Sequence, residues 1–161
     1  MSTGASRLTL PRWDDSTVVV EPPGTEPGAW AGAPSAIAAG GEVYLAYRLR
    51  LPIGEGRGVR NVIARSADGV AFTVVAEVGK DRFGAESLER PALVRTAEGR
   101  WRLYVSAATP GTKHWRVELL EADSPAGLAT APARTVLAGD ETAAVKDPVL
   151  HHDEYGWHLW A

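Results

Sequence analysis

Hydrophobic positions in this chain come in short alternating runs, bounded by turns built from glycine, proline and aspartate. No segment sustains an apolar period of 3.6 residues, so the pattern predicts strands and at most short helical turns. A first group of strands is expected at about 34–39, 42–50, 59–65 and 72–78. Gly40-Gly41 joins the first pair and Ser66-Ala67-Asp68-Gly69 the last pair. Asn61–Arg65 and Phe72–Ala76 carry the β-branched bias of sheet. A second group follows at about 91–96, 100–107, 114–122 and 133–138, with Glu98-Gly99 as its first turn. Upstream, residues 1–29 are rich in Pro, Gly, Asp, Ser and Thr around one apolar run, Thr17-Val18-Val19-Val20, read as a single strand.

The two groups are copies of one unit. Pro34, Pro91 and Pro148 recur at a spacing of 57 residues, opening Ala33-Pro34-Ser35-Ala36-Ile37, Arg90-Pro91-Ala92-Leu93-Val94 and Asp147-Pro148-Val149-Leu150. Each is followed by a turn and an aromatic-rich strand: Val43-Tyr44-Leu45-Ala46-Tyr47, Trp101-Arg102-Leu103-Tyr104 and Trp157-His158-Leu159-Trp160. A long period that reads as strands throughout is the signature of repeated antiparallel sheets, the blades of a β-propeller. The expected fold is therefore all-β, a β-propeller of four-stranded antiparallel blades that is incomplete in this chain. Residues 1–29 form an extension, blade one spans about 30–88, blade two about 89–145, and 146–161 start blade three. About two and a half blades are read as an N-terminal fragment of a protein about twice as long, the alternative being completion by another chain. In the second case the open blade edges invite self-association. A WD-type scaffold does not fit, because its Gly-His and Trp-Asp signatures are absent and its period is shorter, ~40–45 residues.

Composition narrows the function classes. The chain has 161 residues, 17 basic and 20 acidic side chains and a formal charge of −3. No polybasic run exists, which argues against nucleic acid and against an anionic membrane surface. No cysteine is present, which excludes disulfides and thiolate metal sites. The start, Met1–Arg7, lacks the apolar core of a signal peptide, and no stretch approaches membrane-spanning length, so a soluble, cytoplasmic protein is expected.

Val145-Lys146-Asp147-Pro148-Val149-Leu150 followed by Trp157-His158-Leu159-Trp160 resembles a blade opening of the five-bladed propeller glycosidases, the clan of glycoside hydrolase families 32, 43, 68 and 130. Ser66-Ala67-Asp68-Gly69-Val70-Ala71-Phe72 is similar to their recurrent outer hairpin, and Glu89-Arg90-Pro91 with Trp101-Arg102-Leu103-Tyr104 to their second blade opening. The resemblance runs from about residue 30 to the end. It implies a funnel lined by the innermost strands, where acidic residues near each blade-opening proline converge. Glycoside hydrolysis needs such a pair, one carboxyl as acid and one carboxylate as base or nucleophile. Carried onto this sequence, it picks out Asp147, Glu89 and, as an auxiliary, Glu86. The first repeat has Ala33 at the corresponding position, and no acid lies between Trp30 and Ile37. The resemblance therefore supports two readings: a glycosidase acting on an oligosaccharide or glycoside, and a non-catalytic propeller that binds carbohydrate or protein. No cofactor or metal is implied.

Each candidate also has a plainer reading. Asp147 before proline is a common turn starter. Glu86, Glu89 and Arg90 belong to a polar connector whose default is a solvated loop, although an adjacent guanidinium suits a base or nucleophile. Arg90 and Lys146 are candidate substrate contacts beside those acids. Lys113, His114 and Trp115 could donate to hydroxyls and stack on a sugar face, or Trp115 could fill the sheet core. Trp30 has the same two options. His151 and His152 are adjacent on a strand and so face opposite ways, which suits one shared ion poorly. Asp68-Gly69 is read as a structural turn. Gly54–Gly58 lacks the Lys-Ser/Thr of a phosphate loop and is read as a hairpin tip, with Arg57 and Arg60 at its rim.

Overall fold

Three antiparallel sheets stack face against face in the computed structural model, which describes residues 10–161. The Met1–Arg7 start lies outside the described residues. The first sheet holds β1 (Trp30–Ala39), β2 (Glu42–Arg50), β3 (Arg60–Ser66) and β4 (Thr73–Gly79), in sequential order. The second holds β5 (Leu88–Arg95), β6 (Trp101–Ala108), β7 (Trp115–Ala122) and β8 (Ala133–Leu137), again in order. The third is the pair β9 (Val149–Asp153) and β10 (Gly156–Trp160). Neighbours in sequence are neighbours in space, as short turns require.

Alternation along each strand explains the stacking. In β2, Tyr44 and Ala46 face the second sheet, while Leu45, Tyr47 and Leu49 face the other way. In β6, Trp101, Leu103, Val105 and Ala107 meet the first sheet, and Tyr104 turns towards β9–β10. Both faces of a blade are therefore apolar, and each blade must be covered twice. The central layer contains Ile63, Leu88, Leu93, Leu103 and Leu120, all fully buried. Each such side chain contributes roughly 1.5–3 kcal/mol relative to exposure. Tyr44 and Trp101 tilt together across the layer, with ring centroids 4.5 Å apart. Leu150 and Leu159 cover the outer face of blade two.

The predicted strand at Thr17–Val20 is not formed; those residues have no ladder partner. The run instead packs side-on, with Val20 against the Tyr47, Val62 and Ala64 cluster. Val20 is packed and Val18 is exposed, and the run lies over a sheet face rather than along a sheet edge. Strand starts also move: β1 begins at Trp30 and β5 at Leu88, ahead of their prolines. A register shift makes room for each proline, between Gly32 and Ser35 in β1 and between Leu88 and Pro91 in β5. These bulges let proline sit in a strand without breaking the ladder.

Two kinds of polar link fix the blades to one another. The Leu93 N–H donates to Ser35 Oγ (3.0 Å) and the Asp147 N–H to Ser106 Oγ (2.8 Å). The Leu88 N–H donates to the Gly58 carbonyl at 2.7 Å, tying the β2–β3 loop to the start of blade two. Gly58 has φ +51°, and a Cβ there would stand 1.9 Å from the Leu88 carbonyl oxygen. Only glycine fits both constraints.

Candidate functional site

Three blade openings, two of them bulged, meet at one cavity. Pro34 and Ser35 from β1, Arg90 and Leu93 from β5, and Pro148 and Leu150 at β9 line a single cavity of about 270 Å³. The repeat spacing of the sequence is thus a spatial relationship. Ala33 and Asp147, each directly before a blade-opening proline, also share a left-handed backbone, φ +52° and +58°.

A larger cavity, about 560 Å³, opens between the loops of blades one and two. Gly56 and Arg57 come from the β2–β3 loop, Glu86 from the connection into β5, Glu89 from β5 itself, Lys113 from the β6–β7 loop and Trp115 from the start of β7. Lys146, just ahead of blade three, completes the wall. Its ammonium lies 5.3 Å from the centre of the Trp115 ring, a cation–π contact, and 3.7 Å from the Asp147 carboxylate. Trp115 is half-buried, so one side packs against the fold while the rest remains accessible.

Glu89 is held more tightly than the sequence suggests. Arg48 on β2 donates to its carboxylate across the blade interface. The Asn61 side-chain amide donates to the Glu89 carbonyl at 3.2 Å. Arg48 is only 7% exposed, and its guanidinium also stacks on Trp30, 4.9 Å from the ring centre. Burial lowers the Arg48 pKa from its ordinary value, with the charges of Arg50 and Arg57 acting in the same direction and Asp147 opposing them. Arg48 therefore links four predicted or neighbouring groups: Glu89 by an ion pair, Trp30 by stacking, Asp147 and Arg57 by charge. Sequence reasoning missed it. The available signal was one arginine inside the apolar run Leu45-Ala46-Tyr47-Arg48-Leu49. Asn61, fully buried on β3, was likewise read only as strand.

The predicted residues thus separate into two places. Glu86, Glu89, Lys113, Trp115 and Lys146 line the larger cavity. Arg90 faces the cavity at the blade openings, on the other face of β5. Asp147 lies between the two, beside Lys146 and Pro148, with its side chain 41% exposed. Trp30 reaches the site only through Arg48. His114 lines neither cavity; its N–H donates to Thr112 Oγ1 (3.0 Å) within the loop. His151 and His152 do point to opposite faces: His151 neighbours His158, whereas His152 lies against Trp157.

The fold has counterparts among solved structures. A search of family models and a search of curated proteins each returned no match. Among solved structures, the GH43_1 enzyme from Xanthomonas citri complexed with xylotriose superposes at a TM-score of 0.62 and 18% identity, covering 86% of this chain and 41% of that one. The chain has a β-propeller fold. The Thermotoga petrophila endo-1,5-α-L-arabinanase matches at TM-score 0.58 and 14% identity, covering 84% and 36% of the two chains. The Bacillus subtilis arabinanase Arb43A matches at 0.56 and 18%, covering 79% and 46%. The propeller described here thus spans less than half the length of each of these enzymes. Its fold is the one the blade-opening phrases led us to expect. Among the described residues, no helix is long and apolar enough to cross a membrane.

Proposed function

We propose that this propeller binds a saccharide in the cavity between blades one and two and acts on its glycosidic bond with Glu89, which lines that cavity, and Asp147, which stands just outside its lining beside Lys146. One observation carries the reading: a single cavity joins Glu86 and Glu89 to an accessible indole and three cations. Indole faces stack on the C–H surface of a sugar, and the cations donate to its hydroxyls. Paired carboxylates supply the proton traffic that glycoside cleavage requires. Glu89, bonded to Arg48, is engaged as an anion, which suits a base, a nucleophile or an anchor for sugar hydroxyls. Asp147 stands at the blade opening beside Lys146, and Glu86 is a further carboxylate at the cavity rim. The likeness of fold to a xylotriose-bound enzyme and to arabinanases supports a carbohydrate ligand.

A second reading rests on Ala33. It has the backbone conformation of Asp147 at the equivalent place but carries no carboxylate. A propeller lacking that acid would bind sugar without cleaving it. Release of aryl leaving groups from a glycoside panel separates the two. Under the enzymatic reading, Asp147→Asn and Glu89→Gln each lower the rate about 100-fold or more. Under the binding reading there is no release, and Asp147→Asn leaves oligosaccharide affinity unchanged.

A further inference from the structure

The charges around the larger cavity are unequally committed. Arg48 is paired with Glu89, and Lys146 lies beside Asp147. Among the described residues, Arg57 and Lys113 have no carboxylate within 4.0 Å, and the only carboxylate lining the cavity without an ion pair is Glu86. Arg57 and Lys113 come from loops of different blades and line the same cavity as Trp115. A third cation lies behind them. Arg48 is more than nine-tenths buried, and its Nε has no hydrogen-bond partner; the buried Nε of Arg50, on the same strand, has none either. Burying guanidinium groups close together is unfavourable; the Glu89 carboxylate pairs with Arg48 directly and the Asp147 charge offsets the rest only in part.

We infer that the ligand of this cavity is an acidic saccharide, a sugar carrying a carboxylate or a phosphate ester, with the oxyanion received by Arg57 and Lys113 and the ring by Trp115. The proposal rests on the saccharide reading above and narrows its substrate class. Guanidinium and ammonium donors form charge-assisted hydrogen bonds to oxyanions that a neutral hydroxymethyl group cannot match. The three lysines are Lys80, Lys113 and Lys146, and two of them line this one cavity. In a chain of net charge −3, that places positive charge against the overall sign.

Titration of glucuronic acid, glucose 6-phosphate and glucose into the protein, followed by NMR, tests this directly, because the three differ at C6. The expected result is binding of an acidic sugar about tenfold tighter than glucose. That preference falls as salt is raised and is lost in Arg57→Gln/Lys113→Gln, which binds the acidic sugars no more tightly than glucose. Both side chains are exposed loop residues, and an unchanged near-UV spectrum of the double variant confirms its fold. Preference for glucuronic acid assigns a carboxylate and preference for glucose 6-phosphate an ester; either supports the proposal. Equal affinity for glucose and both acidic sugars overturns it and leaves the saccharide reading intact. Inorganic phosphate binding as tightly as glucose 6-phosphate overturns it in favour of a bare-anion site. Absence of binding by all three sugars overturns it together with the saccharide reading.

Discussion

Ala33 and Asp147 are the two non-glycine residues with positive φ among the described residues, at +52° and +58°, and each immediately precedes a blade-opening proline. An L-residue in that region costs roughly 1–2 kcal/mol, and it recurs at the first and third blade openings but not at Arg90 in the second. Replacement at Ala33 should follow backbone tolerance. Ala33→Val, β-branched and poorly suited to positive φ, is expected to destabilise by about 1–3 kcal/mol. Ala33→Asp is expected to stay within about 0.5 kcal/mol, because aspartate tolerates this region better. Urea unfolding of the two variants checks the order. The same Ala33→Asp change returns a carboxylate to the first blade opening, and a gain in aryl-glycoside release would identify the acid that the wild-type chain lacks.

The Arg48–Glu89 pair joins blades one and two from inside their interface, with side chains 9% and 20% exposed. Removing one partner leaves the other charge without its counter-ion. Arg48→Met is expected to cost about 3 kcal/mol, and Arg48→Met/Glu89→Gln less than the sum of the two single changes. A double-mutant cycle on urea midpoints measures the coupling. Purely additive effects would show that the pair does not hold the interface.

Gly58 predicts a local failure at the same junction. Gly58→Ala places a methyl group against the Leu88 carbonyl and forces alanine to φ +51°. The expected loss is about 2–4 kcal/mol. Gly69→Ala, also at positive φ but with nothing within 4 Å of its Cβ, is expected to lose only the conformational part, about 1 kcal/mol. Thermal unfolding distinguishes the two.

The Asp68 turn carries a pH signature. Its carboxylate accepts the N–H groups of Val70 and Ala71, both at 2.8 Å, and the Ser66 hydroxyl. These bonds lower its pKa from 3.8 to about 2. The folded value lies below the unfolded one, so its contribution is complete above pH ~4 and fades as pH falls towards ~2. Asp68→Asn should flatten the decline of stability across that window and leave its shape near neutrality unchanged. Urea midpoints measured against pH test this.

Much of the architecture was readable because a propeller repeats. The 57-residue spacing of Pro34, Pro91 and Pro148 survives translation into space, and two-residue alternation sets both faces of β2 and β6. Thr17–Val20 misled because apolar β-branched composition does not by itself secure a ladder partner: Val20 packs on a sheet face and Val18 stays exposed. Arg48 was invisible for a different reason. Its partner is 41 residues away on the next blade, and no local pattern encodes a cross-blade ion pair. Glu89 and Arg90 part because the segment read as a loop is the start of β5, where neighbouring side chains alternate between faces.

The most direct measurement of the central claim, a saccharide site between blades one and two, uses the six tryptophans as reporters. In ¹⁵N–¹H spectra their indole N–H signals are assignable by single Trp→Phe changes. Addition of oligosaccharide is predicted to move the Trp115 signal most and that of Trp30 less, through Arg48, while Trp13 and Trp160 stay fixed. Shifts confined to Trp157 and Trp160, or none at Trp115 at saturation, would contradict it.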